Sequence, residues 1–229
     1  MILLEFAAVI AASYLVGSIP FGYIAGRVQK GIDVRDYGSG ATGATNVMRT
    51  LGKGAFVAVL LGDALKGYAP VLVTWYLFES HDLQVASGLA AVLGHDFPLY
   101  IGFRGGRGVA TSFGVYAALG LHVGFGLVAV ALFIVLAFRY LSLMSMITVP
   151  LGALTFLILA IADVENVAGV EEYTYSQAVF GAFATALVLV RHAGNIKRLI
   201  QGTEPKLGEG GDRRKAAPTG RSPGSPHPL

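Results

Sequence analysis

Residues 35–54 read RDYGSGATGATNVMRTLGKG, in which Gly38, Gly40 and Gly43 alternate with Ser39, Thr42 and Thr45 and lead to Asn46. A glycine has no Cβ, so such a backbone can curl with its N–H groups turned inward. The hydroxyls and the amide add donors, and Arg35, Arg49 and Lys53 add positive charge. These are the groups that hold a phosphate oxyanion. A loop that only joined two helices would need none of them. A second segment, GHDFPLYIGFRGGRGVAT at residues 94–111, sets Arg104 and Arg107 among Gly102, Gly105, Gly106 and Gly108 and runs into a helix. Backbone donors, a helix N-terminus and guanidinium groups again suit an anion.

Three further clusters carry polar chemistry. Arg139–Ser145 reads RYLSLMS. RHAGNIKRL at residues 191–199 sets His192 and Asn195 three apart, on one face of a helix. Gly62–Gly67, GDALKG, puts Asp63 and Lys66 inside an apolar run, where charges must pair, face the bundle interior or line a polar cavity. His95 and His192 are candidate functional histidines. His81, His122 and His227 are read as uninvolved. The pattern Gly38-x-Gly40-x-x-Gly43 mimics a dinucleotide fingerprint, but no buried strand precedes it. A P-loop fails because Ala44 follows Gly43.

The elements that position these motifs are membrane spans. Of 229 residues, 54% are hydrophobic and 14% charged, against roughly 25% charged in a soluble domain. Mean hydropathy is +0.63. There is no cysteine, which excludes disulfides and thiolate chemistry, and five scattered histidines do not suggest a metal cluster. Candidate spans are 3–26, 55–78, 83–103, 107–120, 123–138, 142–162 and 175–190, with Pro20 bending the first. Residues 107–138 as one helix would run roughly 46–48 Å, too long for one crossing. Two helices with a turn near Gly120–His122 are expected instead. With seven spans, Arg27, Lys30, Arg35, Arg49, Lys53, Arg104, Arg107, Arg139, Arg191 and the basic C-terminal residues share one side. The opposite loops carry Glu79, Asp82, Asp163, Glu165, Glu171 and Glu172. This asymmetry predicts an all-α polytopic membrane protein of seven transmembrane helices, N-terminus outside and C-terminus cytoplasmic. Gly22/Gly26, Gly102/Gly106 and Gly120/Gly124 have GxxxG spacing suited to close helix packing. Residues 1–201 form the membrane domain, and 202–229 read as a polar, disordered cytoplasmic tail whose basic residues suit anionic lipid.

In order along the chain, GSIPFG, DVRDYGSGATGATNVMRTLG, GDALKG, GHDFPLYIGFRGGRGVATSFG, RYLSLMSM and RHAGNIKRLIQGTEPKL resemble the bacterial acyl-phosphate:glycerol-3-phosphate acyltransferase family, from about residue 14 to residue 207. The resemblance implies a seven-helix enzyme of the bacterial plasma or inner membrane with its active site on the cytoplasmic side. It would move a fatty acyl group from acyl phosphate to the 1-hydroxyl of glycerol 3-phosphate. The products would be lysophosphatidic acid and phosphate, made without cofactor, metal or direct use of acyl-CoA. Membrane lipid is the other expected partner, and no nucleic acid is. Ala41 stands where the family usually has asparagine, and Arg107 where it has lysine.

On this reading Ser39, Gly40, Thr45, Asn46, Arg49, Lys66, Gly105, Gly106 and Arg107 are candidates for phosphate binding. Ser142, His192, Asn195 and His95 are candidates for catalysis, holding the reacting hydroxyl or the acyl carbonyl. The base is left open between His95, His192 and a substrate phosphate oxygen. An activated anhydride also allows positioning and anion stabilisation to suffice. A transporter of anionic solutes is the alternative class. It would favour a midplane site and inverted repeats, whereas these motifs cluster on one face. The histidine-x4-aspartate pair of acyl-CoA-dependent acyltransferases is absent, since Ala86, Tyr100, Leu127 and Lys197 occupy the positions in question.

Overall fold

The computed structural model describes residues 2–167, 170–209 and 212. Among the described residues ten α-helices follow one another: α1 (Ile2–Gly17), α2 (Phe21–Lys30), α3 (Ala44–Leu51), α4 (Lys53–Phe78), α5 (His81–Asp96), α6 (Val109–Leu119), α7 (Leu121–Phe138), α8 (Leu141–Ile161), α9 (Tyr175–Arg191) and α10 (Ala193–Ile200). Two short strands, β1 (Glu165–Val167) and β2 (Val170–Glu172), pair antiparallel between α8 and α9.

Among the described residues, four helical stretches are long and apolar enough to cross a membrane: Leu3–Lys30, Lys53–Phe78, Leu121–Phe138 and Leu141–Ile161. The bent pair α9–α10 makes a fifth. The exterior is apolar, with Leu61, Leu65, Phe125, Phe133, Leu136, Ile158 and Val190 exposed, as suits a multi-pass protein whose solvent is lipid. The first span is broken where Pro20, lacking an N–H, precedes α2. The stretch 107–138 divides at Gly120, as expected. The expected span 83–103 is shorter: α5 ends at Asp96, two residues before Pro98, and an irregular loop follows. Pro70 and Pro150 lie inside α4 and α8 without breaking them.

Lipid tails are as apolar as leucine, so helix association here rests on close packing and interhelical hydrogen bonds. α4 and α6 meet backbone to backbone. A Cβ at Gly67 would overlap Thr111 O, and one at Gly114 would overlap Ala64 O. On the other side of α6, Tyr116 is fully buried, donates to Val149 O at 2.7 Å and packs edge-on against Phe180. Ser13 and Ser87 join α1 to α5 at 2.8 Å.

Two of the GxxxG pairs serve other ends. Gly22 and Gly26 face Thr42 and Val34 of the glycine loop, and Gly102 and Gly106 lie outside any helix. The start of the expected tail is also corrected. Residues 203–207 lie against α8 and α10, because Glu204 finds buried hydrogen-bond partners there. Residues 210, 211 and 213–229 lie outside the described residues.

The α4–α6 contact gives a direct test. Gly114→Val should destabilise the protein by about 1–3 kcal/mol through overpacking. A lower midpoint of thermal unfolding in detergent is the expected result.

Candidate active site

Two loops and three helix ends converge on one cavity of about 550 Å3. Its polar end is lined by Ser39, Thr45 and Asn46 from the first loop and α3, with Arg49 one turn on. Arg107 enters from the loop between α5 and α6, Ser142 and Ser145 from the start of α8, His192 and Asn195 from the α9–α10 bend, and Glu204 from the segment beyond. The other end is apolar, between α4, α6 and α7, lined by Phe56, Leu60, Phe113, Leu132 and Val135. Leu61, Ala64, Phe113 and Val128 also line an adjoining cavity of about 380 Å3 that continues to Leu121 and Phe125.

Local chemistry explains the loop. Gly38 and Gly40 have φ of +51° and +75°, a left-handed backbone that glycine adopts at little cost. Asn46 is spent entirely on holding this turn. Its Oδ1 accepts from Ser39 N at 2.9 Å, and its Nδ2 donates to Val34 O at 2.8 Å and Ala41 O at 2.9 Å. Arg35, one of the basic residues of the loop, is bound to Asp33 and donates to Ile101 O at 2.8 Å, tying the two loops together. Gly43 precedes α3 without a side-chain cap, so the first-turn N–H groups of that helix have no capping side chain.

The expected phosphate ligands therefore separate. Ser39, Thr45, Arg49 and Arg107 line the cavity. Gly40, Gly105, Gly106 and Lys66 do not. The N–H of Gly40 donates to Tyr37 O, that of Gly105 to Asp96 O and that of Gly106 to His95 O. Lys66 is buried, pairs with Asp63 at 2.9 Å and donates to Ile19 O at 2.7 Å. Its ammonium serves the bundle interior, because at that depth a charge must find a partner.

Charge is strongly one-sided around Arg107. Burial pushes its guanidinium down to about 10, and Arg198, Arg49 and Arg191 press in the same direction, while Glu204 opposes them. Burial lowers Arg49 as well. Both stay protonated near neutral pH, and a dianion placed between them would relieve their repulsion.

Glu204 is the residue that sequence reading missed. One carboxylate oxygen accepts from Ser142 Oγ at 2.8 Å and from Asn195 Nδ2 at 2.7 Å. The other accepts from Arg198 Nε at 2.8 Å. It thus ties two motifs together, through Ser142 of one and Asn195 and Arg198 of the other. Its only sequence signal was its place in GTEPKL, inside the stretch that carries the resemblance. His192 points Nδ1 at Val188 O, 2.8 Å away, so the neutral ring carries its proton there and leaves Nε2 as an acceptor. His95, which also lines the cavity, sets Nδ1 3.4 Å from Asp63 Oδ1.

A cavity with a basic, hydroxyl-lined end and an apolar end, set in a helical membrane bundle, is suited to a substrate that carries both an anion and a hydrocarbon chain. The family model described as glycerol-3-phosphate acyltransferase matches residues 7–202, and the chain belongs to that family. A relative from Parasynechococcus marenigrum (strain WH8102), a glycerol-3-phosphate acyltransferase, is 41% identical over 91% of this chain and 92% of its own. One of the same name from Gloeobacter violaceus is 41% identical over 87% and 93%. The crystal structure of PlsY (YgiH), an integral membrane glycerol 3-phosphate acyltransferase in its glycerol 3-phosphate form, matches with a TM-score of 0.79. It is 38% identical, over 89% of this chain and 96% of the other. Its lysophosphatidic acid form matches with a TM-score of 0.76 at 36% identity.

Glu204 supplies a pH test. Burial works against its charge. The hydrogen bonds from Asn195, Ser142 and Arg198, with the Arg198 charge, outweigh that and hold its carboxyl below the ordinary glutamate value. The stability it contributes is therefore fully present above that ordinary value and is lost as pH falls through the lowered one. Glu204→Gln should cost about 1.5–3 kcal/mol at neutral pH. The two proteins should converge in thermal midpoint as the pH is lowered past the carboxyl's titration.

Proposed function

We propose that this chain transfers a fatty acyl group from acyl phosphate to the 1-hydroxyl of sn-glycerol 3-phosphate, releasing lysophosphatidic acid and phosphate. The observation that carries the reading is the single cavity with a basic, hydroxyl-lined end and an apolar end between helices. Phosphates fit the first and a fatty chain the second. Ser39, Thr45, Arg49 and Arg107 bind phosphate, while Asn46 keeps the loop in shape. Ser142 already donates to Glu204, so its remaining lone pairs accept from the substrate hydroxyl. Asn195 keeps one N–H and its carbonyl oxygen for the same task. The 1-hydroxyl attacks the acyl carbonyl, the carbonyl carbon–oxygen bond to phosphate breaks, and the proton ends on the released phosphate. His192 Nε2 is an acceptor available along the way. Fixed donors and charges in a half-dry cavity supply the rest.

In this reading the bundle crosses a bacterial cell membrane seven times, through α1–α2, α4, α5, α6, α7, α8 and α9. The N-terminus is outside and the site faces the cytoplasm. The charge asymmetry of the loops supports that orientation.

Purified protein given palmitoyl phosphate and labelled glycerol 3-phosphate should form labelled lysophosphatidic acid. Uptake into sealed liposomes without acylation would point to a transporter instead. Arg49→Ala should lower kcat/KM by about 10- to 150-fold, the worth of a charge-assisted contact. Full activity would remove the first loop from the phosphate site. The native chain has no cysteine, so single cysteines report topology cleanly. One replacing Glu172 should react with an impermeant maleimide in intact cells, and one replacing Arg104 only after permeabilisation. The opposite pattern would overturn the orientation.

A further inference from the structure

The GDALKG motif has no part in the chemistry above, yet it places an ion cluster inside the bundle. Asp63 stands about 15 Å along α4 from Lys53. Its side chain is 1% exposed, and Oδ1 lies 2.9 Å from Lys66 Nζ and 3.4 Å from His95 Nδ1. Charges at such a position are costly and mark a task. The far edge of the His95 ring indicates the task. A Cβ built on Gly106 would overlap Nε2, and the three atoms nearest to it all belong to that ring. Gly106 does not use a left-handed φ, so glycine is needed there for space and not for backbone freedom.

The Gly106 peptide is also fixed at both ends. Its N–H donates to His95 O at 3.1 Å, and its carbonyl accepts from Arg191 at 2.6 Å. Arg107 is the next residue and reaches the cavity.

We propose that Asp63 and His95 are positioning residues. Asp63 holds the imidazole from its Nδ1 side, the ring bears on Gly106, and the Gly106–Arg107 step is thereby fixed where its guanidinium meets a substrate phosphate. The proposal rests on the reading of Arg107 as a phosphate counter-charge. Lys66 balances the Asp63 charge and fastens α4 to Ile19 ahead of Pro20. His95 thus acts through the loop, without exchanging a proton with substrate.

Steady-state kinetics of purified variants test this. Arg107→Ala first identifies the substrate whose KM depends on the arginine. Asp63→Asn and His95→Asn should then raise that same KM about ten- to hundredfold, as expected when a contact group is displaced by a fraction of an ångström. The other KM should stay within about twofold. Gly106→Ala should do likewise, and His95→Ala added to it should recover part of the loss, because the ring that the new methyl strikes is gone. Gly106→Ala leaves the ion cluster intact, so it reports even if Asp63→Asn is not recovered from membranes. Loss in kcat alone with an altered pH profile in His95→Asn would make His95 a proton-transfer group and overturn the proposal. So would losses that simply multiply in the double variant, or a Gly106→Ala protein with both KM values unchanged. An Arg107→Ala protein with both KM values unchanged would instead remove the phosphate reading on which the proposal stands.

Discussion

A backbone amide buried away from water must find its partner in the protein, so irregular chain packed into a membrane bundle survives only where protein supplies its partners. The two glycine loops satisfy this demand through each other and through the helix ends around them. Thr42 N donates to Gly105 O, Arg35 to Ile101 O, Arg191 to Gly106 O, and Asn46 closes the first loop on itself. Close helix packing serves the same end. The contacts of Gly22 and Gly26 with Thr42 and Val34 let the first loop lie directly on α2. Only with the loop backbones fixed can side chains of Ser39, Arg49 and Arg107 share one cavity.

The second organising element is a surplus of positive charge with few internal counter-charges. Arg198, Arg49 and Arg191 stand close enough to Arg107 to press against its charge. Glu204 answers part of that charge through Arg198 at 2.8 Å, and Asp96 stands 3.6 Å from Arg191. Neither carboxylate lies within ion-pair distance of Arg107 among the described residues. Phosphate is the natural completion of such a field, and the apolar end of the cavity keeps the bound anion from being fully solvated. On the proposed reading, the basic end comes from α3, the α5–α6 loop and the α9–α10 bend, and the apolar end from α4, α6 and α7, both opening on one cavity.

Much of this was legible in residue types. Glycine, hydroxyl and arginine in alternation suit an anion, which is the reading proposed for the first loop, and long apolar runs mark spans, because both signals are local. The break at Gly120 was readable from the length of a helix against the thickness of a bilayer. What escaped was the division of labour among like residues. Asn46 and Ser39 both border the cavity, yet the amide of Asn46 is taken up by hydrogen bonds to the loop backbone. Lys66 and Arg107 carry the same charge, yet only Arg107 reaches the site.

The sequence by itself determined the membrane class, the polar face and the set of motifs from which the site is built, since composition, spacing and charge asymmetry are properties of the chain. Tertiary structure alone decided that Glu204, in a stretch that reads as the start of a tail, fastens Ser142 and Asn195 to one carboxylate oxygen. It alone set His95 against Gly106. A hydrogen bond or a close contact depends on atoms brought within a few ångströms by elements far apart in the chain, and no local pattern encodes that distance.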